Sequence, residues 1–131
     1  MPERNIEAGP PTILLCDDDA EVRTVIARLL ECHGYQVVAA DRGEVAVQQA
    51  VARPPSVILL DLRMPGMNGL ATMAALKANP QTCNIPVVVF SSLEPSERAA
   101  DRSQVVDWVQ KPVDQADLLE ALERALKRRL Q

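Results

Sequence analysis

The sequence predicts an α/β domain in which a doubly wound parallel sheet of five strands carries five helices on its two faces. Three observations carry that prediction. Short runs that are apolar throughout alternate with segments of helical period, and that alternation occurs five times without an internal repeat. The chain has 131 residues, the size of one compact domain. Its composition, 47% apolar and 24% charged, is that of an ordinary globular protein able to bury one core without disulfides or a structural metal.

The elements follow in order. Residues 1–11 are polar, end in Gly9-Pro10-Pro11 and read as a tail, leaving 12–131 as the domain. Thr12–Cys16 is an apolar run bounded by aspartates, the pattern of a strand buried on both faces. Val22, Val25, Ile26, Leu29 and Leu30 then form one helical face, ended by His33-Gly34. Residues 35–40 read as a strand and Gly43–Ala52 as a helix stopped before Pro54-Pro55. Residues 57–60 are the next buried strand, followed by a Met64-Pro65-Gly66 turn and a helix over 69–79. Residues 87–90 form a third such run. A short helix is expected near Pro95-Ser96 with Ser96 as N-cap, then a last strand over 105–109. Asp114 caps a final helix with Leu118, Leu119, Leu122, Ala125 and Leu126 as its apolar stripe. Aromatics are only 2% of the chain, so the core is expected to be aliphatic.

Charge and cysteine content exclude some roles. Net charge is −4, and no basic cluster precedes the C-terminus, which disfavours direct binding of nucleic acid. Arg124, Lys127, Arg128 and Arg129 are expected to complement the negative end of the last helix. Cys16, Cys32 and Cys83 match neither a metal spacing nor a disulfide framework and suggest a reducing cytoplasm. No apolar run reaches the roughly 20 residues of a membrane span, and no signal-peptide core is seen, so a cytoplasmic protein is expected.

In doubly wound sheets, sites form beyond the carboxyl ends of the strands. Asp17, Asp18 and Asp19 follow the first strand, Asp61 the third, Ser91-Ser92 the fourth and Lys111-Pro112 the fifth. Taken singly, each has an ordinary use: a helix cap, a turn residue, a structural hydroxyl, a surface lysine. Together they would gather at one sheet edge. Two carboxylates about 5 Å apart repel by roughly 3 kcal/mol at an effective dielectric near 20. Either some stay protonated or a cation sits among them. Oxygen ligands without His or Cys favour magnesium. A carboxylate beside magnesium, a lysine and a hydroxyl suits phosphoryl transfer.

Four stretches carry a resemblance: Ile13-Leu-Leu-Cys-Asp-Asp-Asp19, Val57-Ile-Leu-Leu-Asp-Leu-Arg-Met-Pro-Gly-Met-Asn-Gly69, Pro86-Val-Val-Val-Phe-Ser91 and Lys111-Pro112. In that order they resemble the receiver domains of two-component response regulators, of the stand-alone, chemotaxis-regulator-like kind, over residues 12–129. The resemblance implies a flavodoxin-like sheet with strand order 2-1-3-4-5. It implies that Asp61 is the phosphoacceptor and that Asp17, Asp18, Asp61 and the Arg63 carbonyl hold Mg2+. Ser91 would be the switch hydroxyl, Lys111 the lysine of the family pattern, with a cis bond to Pro112, and Trp108 the switch aromatic. The donor would be a phosphohistidine on a sensor histidine kinase or a histidine phosphotransfer protein, and the output an unnamed protein target rather than nucleic acid or membrane.

Three features depart from the family pattern. Trp108 stands where Tyr or Phe is usual. Residues 99–106 lack the common Gly-Ala pair and look a residue or two short, which shortens the fourth of the five expected helices. The chain ends with the last helix, as expected of a stand-alone receiver or one cut from a larger protein. Arg63 and Leu93 would flank the phosphoryl group and are expected to affect its lifetime. Two other readings compete with a phosphorylation switch. A haloacid-dehalogenase-type phosphohydrolase would need its nucleophile after the first strand and a longer chain. A docking module that is never phosphorylated would not need the acidic, hydroxyl and lysine set.

Overall fold

The computed structural model describes residues 10–62, 69–91, 107–111 and 114–130. Within them the strands are β1 (Thr12–Cys16), β2 (Gln36–Ala40), β3 (Val57–Asp61), β4 (Val87–Ser91) and β5 (Asp107–Gln110). The helices are α1 (Ala20–Cys32), α2 (Gly43–Ala52), α3 (Gly69–Ala78) and α4 (Gln115–Leu130). All strand pairs are parallel, in the order β2-β1-β3-β4-β5. The short helix expected near Ser96 lies outside the described residues, as do residues 1–9 of the expected tail.

Alternation along the strands divides the core. Leu14, Cys16, Ile58, Leu60, Val87 and Val89 face Ala46 and Ala50 of α2 and Met73 and Leu76 of α3. Ile13, Leu15, Val57, Leu59, Val88 and Phe90 face Ile26 and Leu30 of α1 and Leu118, Ala121, Leu122 and Ala125 of α4. Both faces of β3 and β4 are therefore dry, which is why those segments read as unbroken apolar runs. The core is aliphatic as expected, with Phe90 the one large aromatic at 0% exposure among the described residues.

Capping sets the helix limits. Of the three consecutive aspartates, Asp19 is the N-cap of α1, its Oδ1 accepting from the N–H groups of Glu21 (2.9 Å) and Val22 (3.3 Å). That cap starts α1 at Ala20, ahead of its first apolar contact. At its far end Gly34 takes φ +90°, and Tyr35 N–H turns back to the Leu30 carbonyl at 3.1 Å. Tyr35 is thereby claimed by the helix terminus, so β2 begins at Gln36, one residue later than expected. Asp114 caps α4 as expected, its Oδ1 accepting from Asp117 N–H at 3.1 Å.

Other limits shift for local reasons. β3 and β4 each run one residue further than expected, so Asp61 and Ser91 are the last residues of their strands. α3 ends at Ala78 because Asn79 is used in the following turn, its Oδ1 accepting from Gln81 N–H at 2.8 Å. β5 extends to Gln110, while residues 105 and 106 of the expected strand lie outside the described set. One charge assignment is corrected: Arg124 does not serve the end of α4 but forms an ion pair through Nε and Nη2 with Asp107 at the start of β5.

Candidate functional site: an acidic cluster at the strand ends

The sheet brings Asp17, Asp61, Ser91 and Lys111 to one edge, at the ends of β1, β3, β4 and β5. Asp17 is 0%, Asp61 2% and Ser91 2% exposed, whereas Asp18 points to solvent. One carboxylate oxygen from each of Asp17, Asp18 and Asp61 lies within 4.8 Å of the others. Two buried carboxylates at that spacing repel by about 3 kcal/mol at an effective dielectric near 20.

Lys111 supplies the opposing charge. Its Nζ donates to Asp17 Oδ2 at 3.0 Å and to Asp61 Oδ2 at 3.3 Å. Its backbone N–H donates to the Ser91 carbonyl at 2.9 Å, which adds a rung to the β4–β5 ladder and fixes the lysine beside the acids. The ammonium also sits 4.8 Å from the centre of the Phe90 ring, a cation–π contact. Burial alone would lower the Lys111 ammonium, but hydrogen bonds and attraction from Asp17 and Asp61 outweigh it and leave it above the ordinary lysine value.

The cluster's backbone is braced as well. Asp17 N–H donates to Ala40 O at 3.1 Å, and Asp17 Oδ1 accepts from Asp19 N–H at 2.9 Å. At the end of β3, Gly69 N–H donates to Leu62 O at 3.1 Å, so α3 starts directly against the strand that carries Asp61.

Cys16, the last residue of β1, is buried on the α2/α3 side of the sheet next to Asp17. Burial, then the Asp17, Asp61 and Asp41 charges, push its thiol up to about 12. At pH 8 roughly one such thiol in ten thousand is ionised. An aromatic disulfide reagent is therefore expected to modify exposed Cys32 in native protein and to reach Cys16 only after denaturant is added. Rapid native modification of Cys16, located by peptide mapping, would contradict the buried, acid-flanked setting.

Trp108 is half-buried and packs on the α2/α3 side of the sheet. It pairs in register with Val89, and Ser91 lies two residues further along β4 on the same face. Arg63, Ser92, Leu93, residues 99–106 and Pro112 lie outside the described residues. Two contacts had no signal in the sequence: the Phe90 ring beneath Lys111, and Arg23, whose Nη1 donates to the Asp17 carbonyl at 2.8 Å.

A five-stranded parallel sheet with a buried acid pair, a lysine bridging it and a hydroxyl at the next strand end defines an aspartate-centred receiver fold. Residues 13–123 match the response regulator receiver domain. The chain belongs to that family, and it is a receiver domain of two-component signalling. It is 33% identical over 116 residues to PilH of Pseudomonas aeruginosa, covering 87% of this chain and 96% of PilH. It is 32% identical over 119 residues to the phosphate regulon transcriptional regulatory protein PhoB of the same organism, covering 89% of this chain and 52% of PhoB. The chain thus spans nearly all of one relative and about half of the other. Chemotaxis protein CheY4 of Vibrio cholerae superposes with a TM-score of 0.83 at 26% identity, covering 90% of this chain and 100% of CheY4. The receiver domain of a Pseudomonas aeruginosa sensor histidine kinase, with a magnesium ion coordinated in its active-site cleft, also superposes at 0.83 and 26%, covering 91% and 99%. Among the described residues, no helix is long and apolar enough to cross a membrane.

Proposed function

We propose that Asp61 accepts a phosphoryl group from a phosphohistidine on a sensor histidine kinase or histidine phosphotransfer protein, and that the modified domain then binds a protein target differently. The observation that carries this is the Lys111 bridge between two buried carboxylates, 3.0 and 3.3 Å from its ammonium. The bridge holds Asp61 beside the ammonium, and an oxygen of its carboxylate attacks phosphorus in line. As that P–O bond forms, the P–N bond to the donor imidazole breaks and its electron pair returns to the ring. Lys111 then faces an equatorial phosphoryl oxygen, and the Ser91 hydroxyl donates to another.

The donor set fits magnesium: three carboxylates, hard oxygens only, one of them open to solvent. Asp17, Asp18 and Asp61 would hold it, with the Arg63 carbonyl as a further ligand. When bound, Mg2+ supplies neutralisation of charge on the phosphoryl oxygens. Phosphorylation adds roughly −1.5 to −2 charges beside Ser91 and Lys111. Their movement toward it would bias the surface that includes β5, α4 and Trp108, which shares the sheet face of Ser91. Arg63 and Leu93 would modulate the lifetime of the acyl phosphate. In this reading the domain works in the cytoplasm, is a switch with slow self-dephosphorylation rather than a multi-turnover enzyme, and does not itself bind nucleic acid.

A small acyl phosphate is expected to label the chain only when Mg2+ is present, one phosphoryl group per molecule, and Asp61→Asn is expected to abolish the labelling. Equal labelling of the variant would sink the assignment of Asp61.

A further inference from the structure

Asp17 is fully buried, and each of its polar groups is held. The strand end takes its N–H, the turn takes Oδ1, and Lys111 takes Oδ2. Its carbonyl accepts from Arg23 Nη1 at 2.8 Å, a contact that no feature above requires. Arg23 is the fourth residue of α1 and is half-buried, reaching back over the helix start to the end of β1.

That carbonyl belongs to the peptide joining Asp17 to Asp18. Asp17 is anchored on every side, but the Asp18 side chain is exposed, so its direction depends on the backbone that carries it. Fixing the plane of this one peptide fixes where the second carboxylate can reach relative to the first. Charge acts in the opposite sense. The guanidinium lies 2.8 Å from the Asp17 carbonyl, so its positive charge is near the cluster and opposes an added cation. Orientation by Arg23 and repulsion by Arg23 thus predict opposite outcomes when the residue is replaced.

We propose that Arg23 is a positioning residue of the divalent-cation site, holding the Asp17–Asp18 peptide in the orientation at which the carboxylates of Asp17, Asp18 and Asp61 converge. This rests on reading that cluster as the magnesium site. Residues that orient metal ligands without touching the ion typically contribute 10–100-fold to affinity. Orientation therefore outweighs the repulsion, which salt screens and solvent weakens.

Calorimetric titration of the whole chain with MgCl2 tests this. Arg23→Met removes both fork and charge, Arg23→Lys keeps the charge without the guanidinium's reach, and Arg28→Met removes a charge from an exposed site on the same helix. Arg23→Met and Arg23→Lys are expected to bind Mg2+ about tenfold more weakly or worse. The loss should persist at about 0.5 M salt, where screening acts over roughly 4 Å. Arg28→Met is expected to match wild type. Affinity in Arg23→Met equal to or tighter than wild type, with an unchanged circular dichroism spectrum, overturns the proposal. If Arg23→Met fails to fold, unchanged affinity in Arg23→Lys overturns it alone. Asp18→Asn separates the two layers of inference. Should wild type bind no Mg2+, or Asp18→Asn bind as well as wild type, the cation site itself is misassigned and the role of Arg23 falls with it. Loss of binding in Asp18→Asn with unchanged Arg23 variants rejects only the role of Arg23.

Discussion

Lys111→Met is expected to lose about 3 kcal/mol of stability at neutral pH without magnesium. Asp17 and Asp61 have side chains 0% and 3% exposed, and their charges face each other with Lys111 as the bridging cation. Methionine keeps an apolar stem over Phe90 but removes the charge, leaving two buried carboxylates to repel. The lysine side chain is itself 23% exposed, which places the loss at the low end for breaking a buried pair. The pH dependence has a definite sign. Lys111 is raised in the folded state, so its contribution is fully present below the ordinary lysine value of 10.5 and disappears as pH climbs past the raised value. Wild type should therefore lose this part of its stability only in strongly alkaline solution, and the variant has none there to lose. In the variant the two carboxylates repel unopposed at neutral pH, and its deficit should narrow in strongly alkaline solution, where wild type loses the ammonium charge too. Magnesium should narrow it as well. Urea denaturation at several pH values checks both; a deficit independent of pH would mean that packing, not charge, is what the lysine contributes.

Gly69→Ala is expected to cost about 2–3 kcal/mol and to slow labelling of Asp61 by tenfold or more. A Cβ on Gly69 would lie 2.3 Å from Leu62 Cα and 2.7 Å from the Asp61 carbonyl oxygen. Both are backbone atoms of the segment that ends β3, so no side chain can swing aside. Alanine gains about 1 kcal/mol in helix propensity, but a contact near 2.3 Å cannot be kept, so the clash wins. The strand end or the start of α3 must move, and Asp61 moves with it. Urea melts and initial labelling rates measure the two effects. Native stability with a native rate would show that the segment yields freely.

The buried strands were the most legible part of the fold. β3 and β4 are dry along their whole length and β1 from Ile13 onward, and there all three are apolar up to the carboxylate or hydroxyl at or just beyond their ends. β2 lies at an edge and is half-exposed, so its first residue had no such marker, and Tyr35 was lost to the end of α1. Asp17, Asp61, Ser91 and Lys111 could be placed together because parallel strands put all their carboxyl ends on one side. The sequence could not tell which of three consecutive aspartates caps the helix, since all three have the right chemistry; only the geometry singles out Asp19. Arg23 and Phe90 were illegible for a different reason. An arginine in a helix and an apolar residue in a strand look ordinary, and their meaning comes from neighbours distant in the chain or from one backbone carbonyl. Arg124 looked like a partner of the helix terminus, because only tertiary contact reveals Asp107 as its mate.

The strand order has a consequence for time as well as place. Asp17 follows β1 and Asp61 ends β3, two strands each hydrogen-bonded to a neighbour on either side, whereas Lys111 follows β5, which among the described strands pairs with β4 alone. Opening one ladder would withdraw the ammonium from the acids while the central strands stay closed, whereas releasing either carboxylate requires the middle of the sheet to part. Amide exchange should therefore run faster along β5 than along β1 and β3. On that expectation the buried acids would separate only when the central strands do, and their counter-charge would follow the shorter clock of a single fraying edge.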